Sequence, residues 1–242
     1  MPSDRRPAFL FDLDGTLVDS VYQHVVAWRE ALEAIGIELS IWRIHRRIGM
    51  SGGLFLAALL RETGRVVTPE EIRRVQQVHA ETYGRLLSQV RPLPGARELL
   101  DELQRLGIPW AIATSGRLES ARKTVAVLGL DPERIPLVTR DHVRHAKPDP
   151  DLFLAAARLL GIDVGEAIVI GDSVWDMLAA RRARALCVGL LSGGYGAGEL
   201  IEAGAYRVYD DPADLVRHLD EVGVRAAEYD WEASEAAYPD AG

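Results

Sequence analysis

Ala8-Phe9-Leu10-Phe11-Asp12-Leu13-Asp14-Gly15-Thr16 joins four consecutive apolar residues to two carboxylates, a glycine and a threonine. An unbroken apolar run of this length, not an alternating one, reads as a strand covered on both faces. Burying unpaired charge is costly, so a strand that ends on two acids needs a reason for them. On an extended backbone, residues two apart project to one side. Asp12 and Asp14 can therefore converge at the carboxyl end of a strand, where open α/β sheets bind ligands. Taken alone the run reads equally well as an acidic turn, with Gly15 giving the bend and Thr16 satisfying loop groups.

Outward from this stretch the same pattern recurs. Trp110–Ala113, Ala167–Ile170 and Leu186–Leu190 are further apolar runs of strand length. Helical stripes lie between them. Leu99, Leu100, Leu103 and Leu106 stop at Gly107, and Asp149-Pro150 opens a helix with Leu152, Phe153, Ala156, Leu159 and Leu160 on its apolar side. Alternating strands and helices predict an α/β fold with a Rossmann-like, doubly wound parallel sheet. The rhythm breaks between residues 19 and 92, which read as helices only. Val21, Val25, Trp28, Leu32 and Ile35 step at helical spacing up to Gly36, and Thr68-Pro69-Glu70-Glu71 is a capping-box start. The expected organisation is a core of residues 1–18 and 93–222, a helical cap of 19–92, and an acidic tail of 223–242 carrying Tyr229, Trp231 and Tyr238.

The 242 residues carry a net charge of −8, with a pI near 5.3. Such a field repels phosphate backbones and argues against nucleic-acid binding through bulk charge. No apolar stretch approaches the ~20 residues of a membrane helix, and the apolar run after Arg5-Arg6 is too short for a signal peptide. Cys187 is the single cysteine, sits in an apolar run, and reads as a buried core thiol without an internal disulfide partner. A cytoplasmic protein without membrane contact is expected. The oligomeric state is not legible.

Three more stretches carry candidate chemistry. Ile170-Gly171-Asp172-Ser173-Val174-Trp175-Asp176 puts two further carboxylates beyond a buried strand. Four such acids repel one another unless a divalent cation sits among them, and oxygen donors of this kind suit Mg²⁺. Ala113-Thr114-Ser115-Gly116 offers hydroxyls and backbone N–H groups to phosphate oxygens, although Thr114 reads equally well as a helix cap. Of the 28 basic residues only Lys123 and Lys147 are lysines, the rest being arginine. A compact ammonium at Lys147, in Ala146-Lys147-Pro148-Asp149-Pro150, suits a point-charge contact to a phosphoryl group and a carboxylate. Gly193-Gly194-Tyr195-Gly196 lacks nucleotide-loop spacing and reads as a loop.

Together, FDLDGT, IATSG, AKPDP and IGDSVWD, in that order, resemble the motifs of the haloacid dehalogenase superfamily. The helical insert resembles the small cap of its phosphoglycolate-phosphatase-like and sugar-phosphatase-like branch. The resemblance implies a Mg²⁺-dependent phosphatase acting on a small phosphorylated metabolite through an aspartyl-phosphate. It implies Asp12 as nucleophile, Asp14 as general acid and base, and Thr114 and Lys147 on the phosphoryl group. It implies Asp12, the Asp14 carbonyl and Asp172 as metal ligands, with Ser115, Ser173 and Asp176 in support. The Asp14 pKa is expected to be raised by burial and the anionic site.

Within the superfamily, an acid at position 14 suits ester cleavage and not dehalogenation. The absence of lysine from 19–92 argues against a Schiff-base phosphonatase. His24 and Trp28 resemble the β-phosphoglucomutase pattern, but Gly49-Met50-Ser51-Gly52-Gly53 lacks that branch's phosphate-clamping arginine, which favours release to water. On the cap, His24, Arg47 and Gly49 are candidates for substrate contact, while Arg46-Arg47 also fits a solvated helix face. A noncatalytic metabolite- or partner-binding relative is the reading from another class, and the intact nucleophile, acid and lysine argue against it.

Overall fold

A computed structural model of the chain describes residues 7–224, so Tyr229, Trp231 and Tyr238 lie outside the described residues. Eight strands are present among them: β1 (Ala8–Phe11), β2 (Val18–Asp19), β3 (Arg91–Pro92), β4 (Trp110–Ala113), β5 (Leu137–Val138), β6 (Ala167–Gly171), β7 (Leu186–Leu190) and β8 (Arg207–Tyr209). Six of these form one parallel sheet in the order β5-β4-β1-β6-β7-β8. The expected doubly wound sheet is thus present, and β1 lies at its centre with β4 and β6 on either side.

The period of two along β1 explains how helices cover both faces. Phe9 and Phe11 enter one core with Leu99 and Leu103 of α5 (Ala96–Arg105) and Val125 of α6 (Leu118–Val127). Ala8 and Leu10 enter the other with Phe153 of α7 (Asp151–Leu160) and Met177 of α8 (Val174–Ala183). Each buried Phe or Leu side chain contributes about 1.5–3 kcal/mol relative to exposure. One expectation fails here: Leu159 is 57% exposed, because helix α7 turns it away from the sheet. Leu186 at the start of β7 is exposed as well.

The helices of the insert are α1 (Val21–Glu33), α2 (Ile41–His45), α3 (Gly52–Thr63) and α4 (Pro69–Leu86), the last opened by the Thr68/Glu71 capping box. They enclose their own core of Val25, Leu32, Ile44, Phe55, Leu59 and Val75. The chain leaves the main layer through β2 and returns through β3, and the two pair antiparallel, Val18 with Pro92 and Asp19 with Arg91. This ribbon roots the helical lobe beside the carboxyl end of β1. After β7, α9 (Ala197–Ala203) and α10 (Pro212–Arg217) flank β8. No helix among the described residues is long and apolar enough to cross a membrane.

Candidate active site

Strand ends bring the candidate residues together. Asp12 follows the last residue of β1 and its N–H donates to the Ile170 carbonyl of β6, which seats it beside the Gly171-Asp172 corner. Asp12, Asp172 and Asp176 are all buried, and one carboxylate oxygen from each lies within 4.8 Å of the others. Asp176 is held by helix capping. Ser173 is the N-cap of α8; its N–H donates to Asp176 Oδ2 at 3.1 Å and its hydroxyl to the same oxygen at 2.5 Å. Asp172 accepts from the Thr16 hydroxyl at 2.8 Å. Backbone presses on it from two sides, since a Cβ on Gly15 would come within 2.5 Å of its carboxylate and one on Gly193 within 1.8 Å. Gly15 also has φ +85°, so glycine is required there for conformation and for space.

Lys147 has no solvent exposure and places its Nζ 2.5 Å from Asp12 and 2.7 Å from Asp176. These are close ion contacts and not aligned hydrogen bonds. One ammonium faces three carboxylates, so the cluster does not hold full ionisation by itself. Burial pushes the Asp12 carboxyl up to about 7 despite Lys147 beside it, and burial followed by repulsion from Asp176 and Asp12 raises Asp172 well above its ordinary value. Lys147 is itself held above its usual value: burial opposes its charge, but Asp12 and Asp176 outweigh that cost.

Asp14 departs from expectation. Its carboxylate turns from the cluster toward the helical lobe, accepting from the Ser20 hydroxyl at 2.7 Å and from His24 Nε2 at 3.2 Å. Burial raises its pKa, yet the His24 ring and the Ser20 bond outweigh burial, and the net shift is downward, opposite to the expected rise. His24 is in turn held by stacking on Tyr83, with centroids 3.9 Å apart, and by His79, whose Nε2 faces His24 Nδ1 at 3.3 Å. Burial lowers the His79 pKa to about 3, so that ring is neutral. The sequence reading missed Ser20, His79 and Tyr83 as neighbours of the site. The i, i+4 spacing of His79 and Tyr83 on one helix was the available signal, and it reads first as ordinary core.

Thr114 is buried at the end of β4, and its hydroxyl oxygen accepts from the Gly116 N–H at 3.0 Å, a local turn bond. The Ser115 hydroxyl is buried without a protein partner at the edge of a cavity of about 200 Å³. That cavity opens between sheet and lobe onto Asp12 and Asp14. Trp28, Phe55 and His79 line it on the lobe side, and Arg117, Lys123 and Arg140 on the sheet side. Arg47 also lines it, but its guanidinium is engaged by Glu62 and the Arg43 carbonyl, so substrate contact requires it to exchange partners. Gly49, with φ +94°, contributes backbone: a Cβ there would come within 2.7 Å of the Ser173 hydroxyl.

The carboxylate cluster fits a hard dication: its donors are oxygens, they are close together, and the raised Asp12 and Asp172 carboxyls mark a charge that a cation would offset. Asp12 and Asp172 are raised groups, so the stability they give the metal-free fold is complete below the ordinary carboxylate range. It is lost as pH rises through the folded values, near 7 for Asp12. We therefore expect thermal unfolding in chelator to shift to lower temperature between pH 5 and pH 8. Millimolar Mg²⁺ should remove most of that slope, as scanning calorimetry at both pH values would show. Equal slopes with and without the cation would argue against a metal among these carboxylates.

Comparison with known proteins identifies the family. Residues 7–184 match the family described as haloacid dehalogenase-like hydrolase. Hexitol phosphatase A of Escherichia coli is 35% identical over 182 residues, covering 74% of this chain and 80% of that protein. Phosphoglycolate phosphatase of Agrobacterium fabrum is 31% identical over 219 residues, covering 88% and 92%. The crystal structure of a hydrolase from Pseudomonas syringae superposes with a TM-score of 0.89 at 57% identity, covering 90% of this chain and all of that one.

Proposed function

This chain belongs to the haloacid dehalogenase-like hydrolase family, and we propose from that premise that it hydrolyses the phosphate monoester of a small metabolite, either phosphoglycolate-like or a sugar phosphate. The observation that carries the reading is the juxtaposition of Asp12, Lys147 and Asp172, a cluster whose Asp12 lines a metabolite-sized cavity together with Asp14. Relatives named as phosphatases support the reaction class.

In this reading Asp12 attacks phosphorus and forms an aspartyl-phosphate as the ester oxygen leaves, which splits one hard hydrolysis into two steps. Asp14 gives the departing oxygen its proton, then takes one from the water that attacks phosphorus, and the Asp12–phosphorus bond breaks to release inorganic phosphate. His24 and Ser20 hold its pKa down against burial; an arriving phosphoryl dianion supplies the negative charge that raises it toward an acid form. Lys147, Thr114 and Ser115 orient the phosphoryl oxygens. Asp12, Asp172 and the Asp14 carbonyl would hold Mg²⁺, supported by Asp176 on its Ser173 cap; when bound, Mg²⁺ supplies charge that neutralises phosphoryl oxygens and keeps Asp12 ionised. The aromatic lobe side of the cavity accommodates the carbon skeleton, and closure of the lobe excludes water.

The test is phosphate release from a panel of phosphorylated metabolites, with Mg²⁺ and then with chelator. Turnover in Mg²⁺ alone is expected. Conversion of a sugar phosphate to its isomer without phosphate release would indicate a mutase, and inactivity of the folded protein on every ester would indicate a binding protein. In kcat/KM, which reports only the steps up to aspartyl-phosphate formation, Asp14→Asn should slow alkyl phosphates by about 10²-fold or more, and p-nitrophenyl phosphate far less, because nitrophenolate leaves without a proton. Equal losses on both would contradict the acid role.

A further inference from the structure

The glycine-rich loop after β7 has no role in the reaction as described, yet it touches both the helical lobe and the metal-side carboxylate. Tyr195, only 4% exposed, donates its hydroxyl to the Arg46 carbonyl at 2.8 Å, and the Arg46 guanidinium lies 4.1 Å over its ring. Arg46 also pairs with Glu199 at the start of α9. His45 bonds to the Gly193 carbonyl at 2.8 Å while stacking on Tyr22. On its inner side the same loop packs Gly193 against Asp172, and Ser192 donates to the Gly15 carbonyl at 2.6 Å. The lobe turn that carries His45 and Arg46 continues into Gly49, seated on Ser173, and Ser51, whose N–H donates to the Lys147 carbonyl at 3.1 Å. Residues 45–51 thus meet every loop that holds an acid or a lysine of the cluster except that of Asp12 itself.

We propose that Tyr195 is a positioning residue: with Arg46 and His45 it latches the lobe turn 45–51 onto the loop that walls in Asp172, so that one set of contacts closes the lobe and fixes the metal-side carboxylate. The proposal rests on the phosphatase reading for its kinetic consequence, though the latch itself is a matter of geometry. A lobe that is latched for only part of the time binds ester with an affinity reduced by that fraction, which raises KM and spares kcat once substrate saturates. Loss of one buried hydrogen bond changes such an equilibrium by about fivefold.

The experiment uses the full chain with Mg²⁺ and p-nitrophenyl phosphate, together with amide hydrogen exchange. Tyr195→Phe keeps the ring and removes the bond. It should raise KM by up to about fivefold with kcat within about twofold, and speed exchange in segments 41–51 and 191–199 but not in β1 or β6. Arg46→Ala, which keeps the carbonyl but removes the guanidinium, should move exchange in the same two segments. Glu199→Gln should do little, because that pair is exposed. Unchanged exchange in both Tyr195→Phe and Arg46→Ala, or a fall in kcat with KM unaltered, would overturn the latch. If the unsubstituted protein hydrolyses no ester, the phosphatase reading fails, and the exchange data still decide the latch.

Discussion

Asp12→Asn is expected to lower turnover by at least about 10⁴-fold while leaving the fold intact, since the proposed mechanism makes Asp12 the covalent nucleophile and its loss removes the step on which the rest of the site acts. The structural consequence is unusual for a buried ionised group. Asparagine has the same shape, Lys147 keeps Asp176 as a partner at 2.7 Å, and one of three crowded carboxylates becomes neutral. Because the Asp12 pKa is raised to about 7, its ionisation costs the metal-free fold stability at higher pH. At pH 8 in chelator the variant should therefore unfold at a temperature no lower than the parent. Phosphate release and calorimetry on the same preparation check both halves. Near-normal turnover would show that another group bonds to phosphorus, and a clear loss of stability would show that the Asp12–Lys147 contact outweighs the crowding.

Lys147→Met should have the largest effect on stability. The ammonium is fully enclosed and is the cation in contact with Asp12 and Asp176. Methionine keeps most of the stem but leaves the buried carboxylates without that partner, a loss of about 3–5 kcal/mol for a broken buried pair. The deficit should be greatest near pH 7.5 in chelator, shrink toward pH 5 as carboxyl groups take up protons, and shrink also when Mg²⁺ replaces the missing charge. Urea unfolding at the two pH values measures this, and the pH 5 arm remains informative if the variant folds poorly at neutrality. An unchanged urea midpoint at pH 7.5 without metal would mean that Lys147 is not the cluster's counter-charge. Turnover should fall as well, because the proposed mechanism assigns the same ammonium to the phosphoryl oxygens.

The arginine habit of this chain made Lys147 conspicuous, and the reason for its retention is visible in three dimensions. A guanidinium is planar and broad, and the space between Asp12, Asp176 and the Phe153 ring admits a point charge on a thin stem. Arg46 and Arg47 gave the opposite lesson. Adjacent in sequence, they read as one basic pair, yet Arg47 lines the cavity against Glu62 and Arg46 reaches the core loop at Tyr195 and Glu199. Successive residues in a turn point in different directions, and nothing local records which surface each will meet.

By itself the sequence determined the layer architecture and the strand-end acids. Four short apolar runs, two of them ending on carboxylates, read as strands covered on both faces, and their order along the chain leaves few ways to wind helices over them. It did not reveal β5 and β8, because strands of two and three residues are too short to show a period. Only the tertiary structure decided which way Asp14 faces and what charge it prefers, since Ser20, His24, His79 and Tyr83 come to it from two separate helical segments. A pKa is set by every group within a few ångströms, and those neighbours are assigned by packing, not by proximity along the chain. The same holds for the glycine loop at Gly193-Gly194, featureless as a string of small residues, whose close approach to Asp172 exists only once β7 is laid beside β6.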